Sequence, residues 1–158
     1  MKKVLIIGAG RSATSLIHYL LNQANRYNWE ITVADMSIDL AKDKVNGHSR
    51  GLAVSFNALD AEERLPFLKA ADLVVSMLPA HLHIHVAKDC LELGINLATA
   101  SYVSPELKEM HAAVQDKDLI FLNEIGLDPG IDHMSAMQMI NNIRNKGGKI
   151  NAFYSYAG

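Results

Sequence analysis

The sequence predicts an α/β domain built as a doubly wound parallel sheet, a three-layer α-β-α arrangement. Three observations carry that prediction. Short apolar runs alternate with helical patterns six times along 158 residues. The first run, Lys3 to Ile7, is continuously β-branched or Leu, the pattern of a strand buried on both faces. A glycine-rich turn stands between that strand and the first helix.

Element by element, Lys3–Ile7 ends at Gly8, and Ser12–Gln23 places Leu16, Tyr19 and Leu20 at helical spacing. Glu30–Ala34 is the second strand, followed by a helix over Ser37–Val45 with Ser37 as its N-cap. Leu52–Ser55 and Ala61–Lys69 form the third pair. Leu73–Ser76 is followed by a helix over Leu82–Leu93, stopped by Gly94. Asn96–Thr99 precedes a helix from Pro105 to Val114, and Leu119–Leu122 is the sixth strand. Such alternation dictates right-handed crossovers and a sheet covered on both faces. Ile131–Arg144 is then a long amphipathic helix, in which Met134, Met137 and Met139 read as core filling. Ile150–Tyr156 reads as a last strand.

Composition narrows the function. Apolar residues are 49% and charged residues 20%, which excludes disordered and low-complexity classes. A net charge of -2 offers no electrostatic footprint for nucleic acid or an anionic membrane. The single cysteine, Cys90, makes an internal disulfide impossible and points to a reducing, cytoplasmic setting. Lys2 and Lys3 before an apolar run imitate a secretory signal, but Arg11 interrupts the run after about seven residues, so a buried strand explains it better.

The first turn, Gly8-Ala9-Gly10-Arg11-Ser12-Ala13, is G-x-G-x-x-A between a buried strand and a helix, the context of a Rossmann dinucleotide-binding turn. Gly8 permits the tight turn and Gly10 lets backbone approach a pyrophosphate. Ala13 holds the helix close to the sheet, and the free N–H groups of the helix start face the anion. Asp35 ends the second strand, where an acid accepts from the adenosine ribose hydroxyls. It is followed by Met36 and no arginine, which favours NAD over NADP. Ligands of such sheets lie beyond the strands' carboxyl ends. That nominates Asn57 and Ala58 beside the adenine, and Ser76, Met77, Leu78 and Pro79 beside the nicotinamide ribose.

Other patterns carry less. In a helix His81 and His85 share a face while His83 points elsewhere, which is not a zinc pattern, and no metal is expected. Cys90 reads as buried packing, and Lys42 and Lys44 as a solvated face. Asp128-Pro129-Gly130-Ile131-Asp132-His133, with Gly126 before it, builds a rigid loop at the start of the last helix. Asp128 or Asp132 caps that helix, or the loop closes the floor where substrate meets nicotinamide.

Thr99-Ala100-Ser101-Tyr102-Val103-Ser104-Pro105 and Asn123-Glu124-Ile125-Gly126-Leu127-Asp128-Pro129-Gly130-Ile131-Asp132-His133-Met134 resemble the saccharopine dehydrogenase (saccharopine reductase) family. With the first turn and Ser76–Pro79 the resemblance runs across the chain, and Phe153–Gly158 resembles the entry into that family's second domain. It implies an oxidoreductase of lysine metabolism acting on the CH–NH bond of saccharopine, yielding glutamate and aminoadipate semialdehyde or running in reverse. By the resemblance Gly8, Gly10, Arg11, Ser12 and Ala13 hold the pyrophosphate, and Asp35 with Met36 the ribose. Ser76–Pro79 and Thr99, Ala100, Ser101 and Tyr102 line the nicotinamide side, the last two toward substrate. Asp128, Pro129 and Gly130 border the reacting centre, and Asp128 and His133 are the candidate general bases.

Two departures stand out. NADP-using members tend to carry a small residue and an arginine near the position of Asp35, so Asp35 again argues for NAD. The family's substrate domain begins around Asn151, where this chain ends. Residues 1–150 are therefore expected to be the cofactor domain, and 151–158 the start of a substrate and dimerisation domain. The full enzyme is a candidate homodimer, and this fragment alone is expected to turn over poorly. The rivals are a relative acting on a polyamine-type secondary amine, and a nicotinamide-binding regulatory module that keeps the fold without catalysis.

Overall fold

The computed structural model describes residues 1–156. Six parallel strands form one sheet in the order β3-β2-β1-β4-β5-β6, with β1 Lys2–Ile7, β2 Trp29–Asp35, β3 Gly51–Ser55, β4 Leu73–Ser76, β5 Asn96–Thr99 and β6 Phe121–Leu122. The strand order reverses between β1 and β4, and a crevice opens there beyond the strand ends. Asp72 fixes the opposite end of the same pair: it takes the Lys3 backbone N–H at 2.7 Å and the Lys2 ammonium at 3.0 Å.

Two apolar layers flank the sheet. On one face α1 (Thr14–Tyr27) and α2 (Ile38–Val45) pack Ala13, Ile17, Leu21, Ala24, Ala41 and Val45 onto Val4, Ile6, Ile31 and Val33. On the other, α3 (Ala61–Lys69) and α4 (His83–Leu93) bring Leu68, Val86, Ala87 and Cys90 onto Leu5, Ile7, Val74 and Leu97. Alternation along β1 feeds both layers, which is why Val4 to Ile7 has no polar residue. Each fully buried Val, Leu or Ile side chain among them contributes about 1.5–3 kcal/mol of transfer free energy.

The expected elements are present, with five corrections. The helix after the first turn begins as a 3-10 turn over Arg11–Ala13, and its buried stripe is Ala13, Ile17, Leu21 and Ala24; Tyr19 is exposed, and Leu16 and Leu20 are half-buried. The helix expected over Pro105–Val114 is broken at Met110 into α5 (Pro105–Glu109) and α6 (His111–Asp116). The sixth strand keeps only Phe121 and Leu122. The last helix, α7 (Ile131–Asn145), buries none of its residues, so Met134, Met137 and Met139 fill no core here. The segment 150–156 pairs with no strand and leaves Phe153, Tyr154 and Tyr156 exposed.

The face carrying α1 is covered over β1–β3 but open over β4–β6. A groove of about 740 Å³ runs there, walled by Leu16 and Leu20 of α1 and floored by Val4, Leu73, Val75 and Ala98. The expectation of full cover on both faces fails at this half-sheet because α7 lies elsewhere. No helix among the described residues is long and apolar enough to cross a membrane.

Candidate functional site

The glycine turn is where local geometry is most constrained. Gly8 has φ +107°, and a Cβ on it would stand 2.8 Å from the Met77 carbonyl oxygen, so both conformation and the adjacent β4 loop require glycine. Gly10 differs: its backbone is extended, and a Cβ there would meet nothing within 4 Å. The protein itself leaves that space open, as a ligand approaching the backbone requires. The 3-10 turn beginning at Arg11 has no side-chain cap, which leaves helix-start N–H groups free for an anion. Arg11 and Ser12 are exposed beside it, and Ala13 is fully buried.

Asp35 lies at this turn, with its carboxylate committed to backbone. Oδ2 accepts the Ala9 N–H at 2.8 Å and Oδ1 accepts the Ser37 N–H at 2.9 Å. It is a clasp between the first turn and the start of α2. Met36 is exposed beyond it. Asn57 is also occupied: its side chain accepts from Leu59 N–H at 3.0 Å, and its own N–H donates to Glu63 at 2.7 Å. The Ala58 carbonyl takes the buried Arg64 guanidinium at 2.9 Å, which is paired with Asp89 at 2.6 Å.

At the β4 and β5 ends a pocket of about 360 Å³ gathers Ser12, Ser76, Met77, Leu78, Ala80, His83, Ala100, Ser101, Tyr102, Asp128 and Pro129. Nine of these are sequence-predicted site residues; His83 and Ala80 are additions. Pro79, Thr99, Gly130, Arg11, Met36, Asn57, Ala58 and His133 do not line it. Thr99 lies buried behind it, its hydroxyl accepting from Ser101 N–H at 3.2 Å.

The loop Gly126–Gly130 reaches the pocket through close backbone approach. A Cβ on Gly126 would stand 2.9 Å from the Ala100 carbonyl oxygen, which holds the loop against the β5 end. Tyr102 donates its hydroxyl to Asp128 Oδ1 at 2.7 Å, and that bond to a carboxylate raises the phenol above its ordinary range. Neither Asp128 nor Asp132 occupies the N-cap of α7, which is Gly130. Asp132 reaches back to the Gly130 N–H at 3.0 Å and accepts from His133 Nδ1 at 2.7 Å. The latter bond raises the His133 pKa above the usual imidazole value. Asp128, Asp132 and His133 offer ligand atoms within 4.8 Å of one another, but two are exposed and the Asp132 and His133 atoms are already bonded together.

His81 and His85 are exposed on one face of their helix, as the spacing indicates. His83 points inward and bridges two serines: Nδ1 is 2.8 Å from Ser76 Oγ and Nε2 is 2.8 Å from Ser101 Oγ. The H-x-H-x-H pattern after a strand was the available signal; read only for metal, it hid this role. Cys90 is fully buried, and burial pushes its thiol up to about 12.

Residues 4–122 match the family model described as saccharopine dehydrogenase NADP binding domain, and residues 126–158 the saccharopine dehydrogenase C-terminal domain. An alpha-aminoadipic semialdehyde synthase of Bos taurus mitochondria is 40% identical over 99% of this chain and 17% of its own length. The saccharopine dehydrogenase [NADP(+), L-glutamate-forming] of Schizosaccharomyces pombe is 35% identical over all of this chain and 34% of its own. Apo saccharopine dehydrogenase (L-Glu forming) from Saccharomyces cerevisiae superposes with a TM-score of 0.85 at 30% identity, over 96% of this chain and 33% of that one. The chain thus spans about a sixth of the synthases and a third of the dehydrogenases it matches. These findings overturn the NAD preference drawn from Asp35: the matching family model is described as NADP binding, and the dehydrogenase relatives are named for NADP(+). An acid at this strand end is not specific evidence for a ribose contact, because backbone amides already hold both oxygens of Asp35.

Proposed function

This chain belongs to the saccharopine dehydrogenase family, and from that premise we propose that it is the NADP-binding part of an oxidoreductase acting on the CH–NH bond of saccharopine. The observation that carries the reading is one juxtaposition. The pocket at the strand ends holds Ser12 of the glycine turn on one side and the Tyr102–Asp128 pair on the other. A dinucleotide held at the turn would reach this pocket, whose wall carries two groups able to move a proton.

The residues fit that cofactor at its pyrophosphate. Gly10 leaves room where a side chain would stand, and the uncapped helix start offers N–H donors. When bound, NADP supplies the hydride acceptor for the carbon bearing the secondary amine. The chain's own part is binding, orientation and proton handling. Asp128 is the base in this reading. It accepts the Tyr102 hydroxyl, 2.7 Å from oxygen to oxygen, so a proton taken from the substrate amine is relayed between the two groups across one hydrogen bond. Tyr102, with its pKa raised, remains a phenol; once water has added to the oxidised C=N carbon, it returns a proton to the departing amine nitrogen as the C–N bond breaks and the aldehyde C=O forms. His133 stands edge-on to the Tyr102 ring, 6.5 Å between centroids, and is tied to Asp132, whose carboxylate raises its pKa.

The test is a steady-state assay of the full-length enzyme containing this domain, with saccharopine and NADP, read as NADPH absorbance. Saccharopine-dependent NADPH formation, lost on Asp128→Ala with dinucleotide affinity retained, supports the reading. Formation that persists in Asp128→Ala removes the base assignment, and no formation at any pH between 6 and 10 removes the substrate.

A further inference from the structure

The one polar network buried inside the pocket wall does not contain Asp128, Tyr102 or the glycine turn. It is Ser76–His83–Ser101. Ser76 is fully buried and His83 is 1% exposed, so a hydrogen bond lost here is not replaced by water. The histidine spans two strand ends: Ser76 terminates β4, and Ser101 stands two residues beyond β5. Ser101 is also where the wall carrying Tyr102 is anchored. Its N–H is bonded to Thr99, its carbonyl accepts from Glu124 N–H at 3.1 Å, and its hydroxyl meets His83. Two of these anchors are backbone contacts or contacts within the same strand end. His83, at the start of α4, is the side-chain anchor, and it ties Ser101 to Ser76 at the end of β4.

We propose that His83 is a positioning residue: through Nε2 it fixes the Ser101 hydroxyl and, with it, the orientation of the loop that presents Tyr102 to Asp128. Burial, reinforced by the charge of His81, holds the His83 pKa below the ordinary imidazole value, so the ring is neutral at neutral pH. A neutral ring has one donor and one acceptor nitrogen. With a serine at each nitrogen, both are satisfied in either tautomer, and the strut adds no charge beside the cofactor's ring. Ser101 also lines the pocket, and its hydroxyl keeps hydrogen-bonding capacity beyond the His83 contact. The inference rests on the functional reading above for its link to catalysis; the strut itself rests on the two contacts.

The two nitrogens make the test specific. A glutamine amide reaches the place of Nε2 and an asparagine amide the place of Nδ1. In the full-length enzyme, His83→Gln is expected to keep more than a third of kcat, because it retains the Ser101 partner. His83→Asn, which retains only the Ser76 partner, is expected to lose about ten-fold in kcat with NADPH affinity changed less than two-fold. Ser101→Ala should lose a similar factor, and the His83→Asn/Ser101→Ala double variant should be no worse than either single change. Equal losses in the asparagine and glutamine variants overturn the proposal, as does an unaffected Ser101→Ala or an additive double variant. Ser101 is only half-buried, so its variant carries the test should both His83 variants misfold. Inactivity of the wild-type enzyme on saccharopine would instead refute the functional reading. Amide exchange at Ser101, whose N–H is bonded to Thr99, and at Glu124, whose N–H is bonded to the Ser101 carbonyl, then decides the strut: faster in His83→Asn than in His83→Gln upholds it, and equal rates overturn it.

Discussion

Asp35 gives the sharpest test of how the first turn is built, because two roles for it predict different outcomes. As a clasp, it holds the N–H of Ala9, which is fully buried, at 2.8 Å, and that of Ser37 at 2.9 Å. Asp35→Ala leaves the Ala9 amide without a partner and without water, at a cost of about 1–3 kcal/mol, while the Ser37 amide recovers part of its loss through solvent. Together the change is expected to destabilise the domain by roughly 2–3 kcal/mol, or about 4–12 °C in Tm at this chain length. Asp35→Asn retains one acceptor oxygen and should lose about half as much. Urea unfolding of this chain, followed through its single tryptophan, Trp29 on β2, measures both. An acid serving only ribose hydroxyls would be free in the ligand-free protein, and its removal would leave stability unchanged. An Asp35→Ala variant within 0.5 kcal/mol of wild type would therefore refute the clasp.

Three other changes separate binding from folding. Gly10→Val meets no protein atom within 4 Å of its new Cβ, so unfolding should be nearly unchanged while NADPH affinity, by fluorescence titration, drops at least ten-fold; unchanged affinity would place the pyrophosphate elsewhere. Asp89→Ala strands the buried Arg64 guanidinium and is expected to cost about 3–5 kcal/mol in urea unfolding, against a small effect if that pair behaves as a surface bridge. Asp132→Asn removes the carboxylate that raises His133, so the His133 ring signals in NMR should titrate at a lower pH than in wild type. The stabilisation from that pair is present below the ordinary imidazole value and fades as pH rises through the raised one. A titration midpoint that does not move would show that the Asp132–His133 contact is absent in solution.

The fold was legible because both periods are strong where the sheet is central. Val4–Ile7 has no polar residue to turn outward, and strand-helix alternation leaves few topologies. The errors fall where packing, not pattern, decides. In α1 the largest apolar residues suggested a stripe of Leu16, Tyr19 and Leu20, but the motif's own alanine sets the register. Ala13 must sit close to the sheet, and spacings of four, four and three from it give Ile17, Leu21 and Ala24. The same residues explain the groove, since the displaced Leu16 and Leu20 line its wall. In α7 the methionines suggested a core position, yet amphipathicity shows only that a helix has an apolar face and not what meets it.

At the site, residue types were easier to read than their obligations. Glycines announce geometry directly: the motif and the loop mark Gly8 and Gly126 as turn positions, and the structure adds the Met77 and Ala100 carbonyls that a Cβ there would strike. An acid or a histidine announces only a capacity. Asp35 at a strand end is compatible with ribose or backbone, and the choice depends on where the amides of Ala9 and Ser37 fall in space. His83 between two outward histidines is compatible with packing or with a strut, and the choice depends on β4 and β5 being neighbours with serines at their ends. Both residues act between chain segments distant in sequence, joined by the parallel register. The same register places Ile7 opposite Ala34 and Ser76 opposite Thr99, so the strand ends line up and their loops share one crevice. The cofactor turn, the histidine strut and the Tyr102–Asp128 pair are thus consequences of one alignment, which is why a change at Asp35 or His83 is expected to be felt across the crevice.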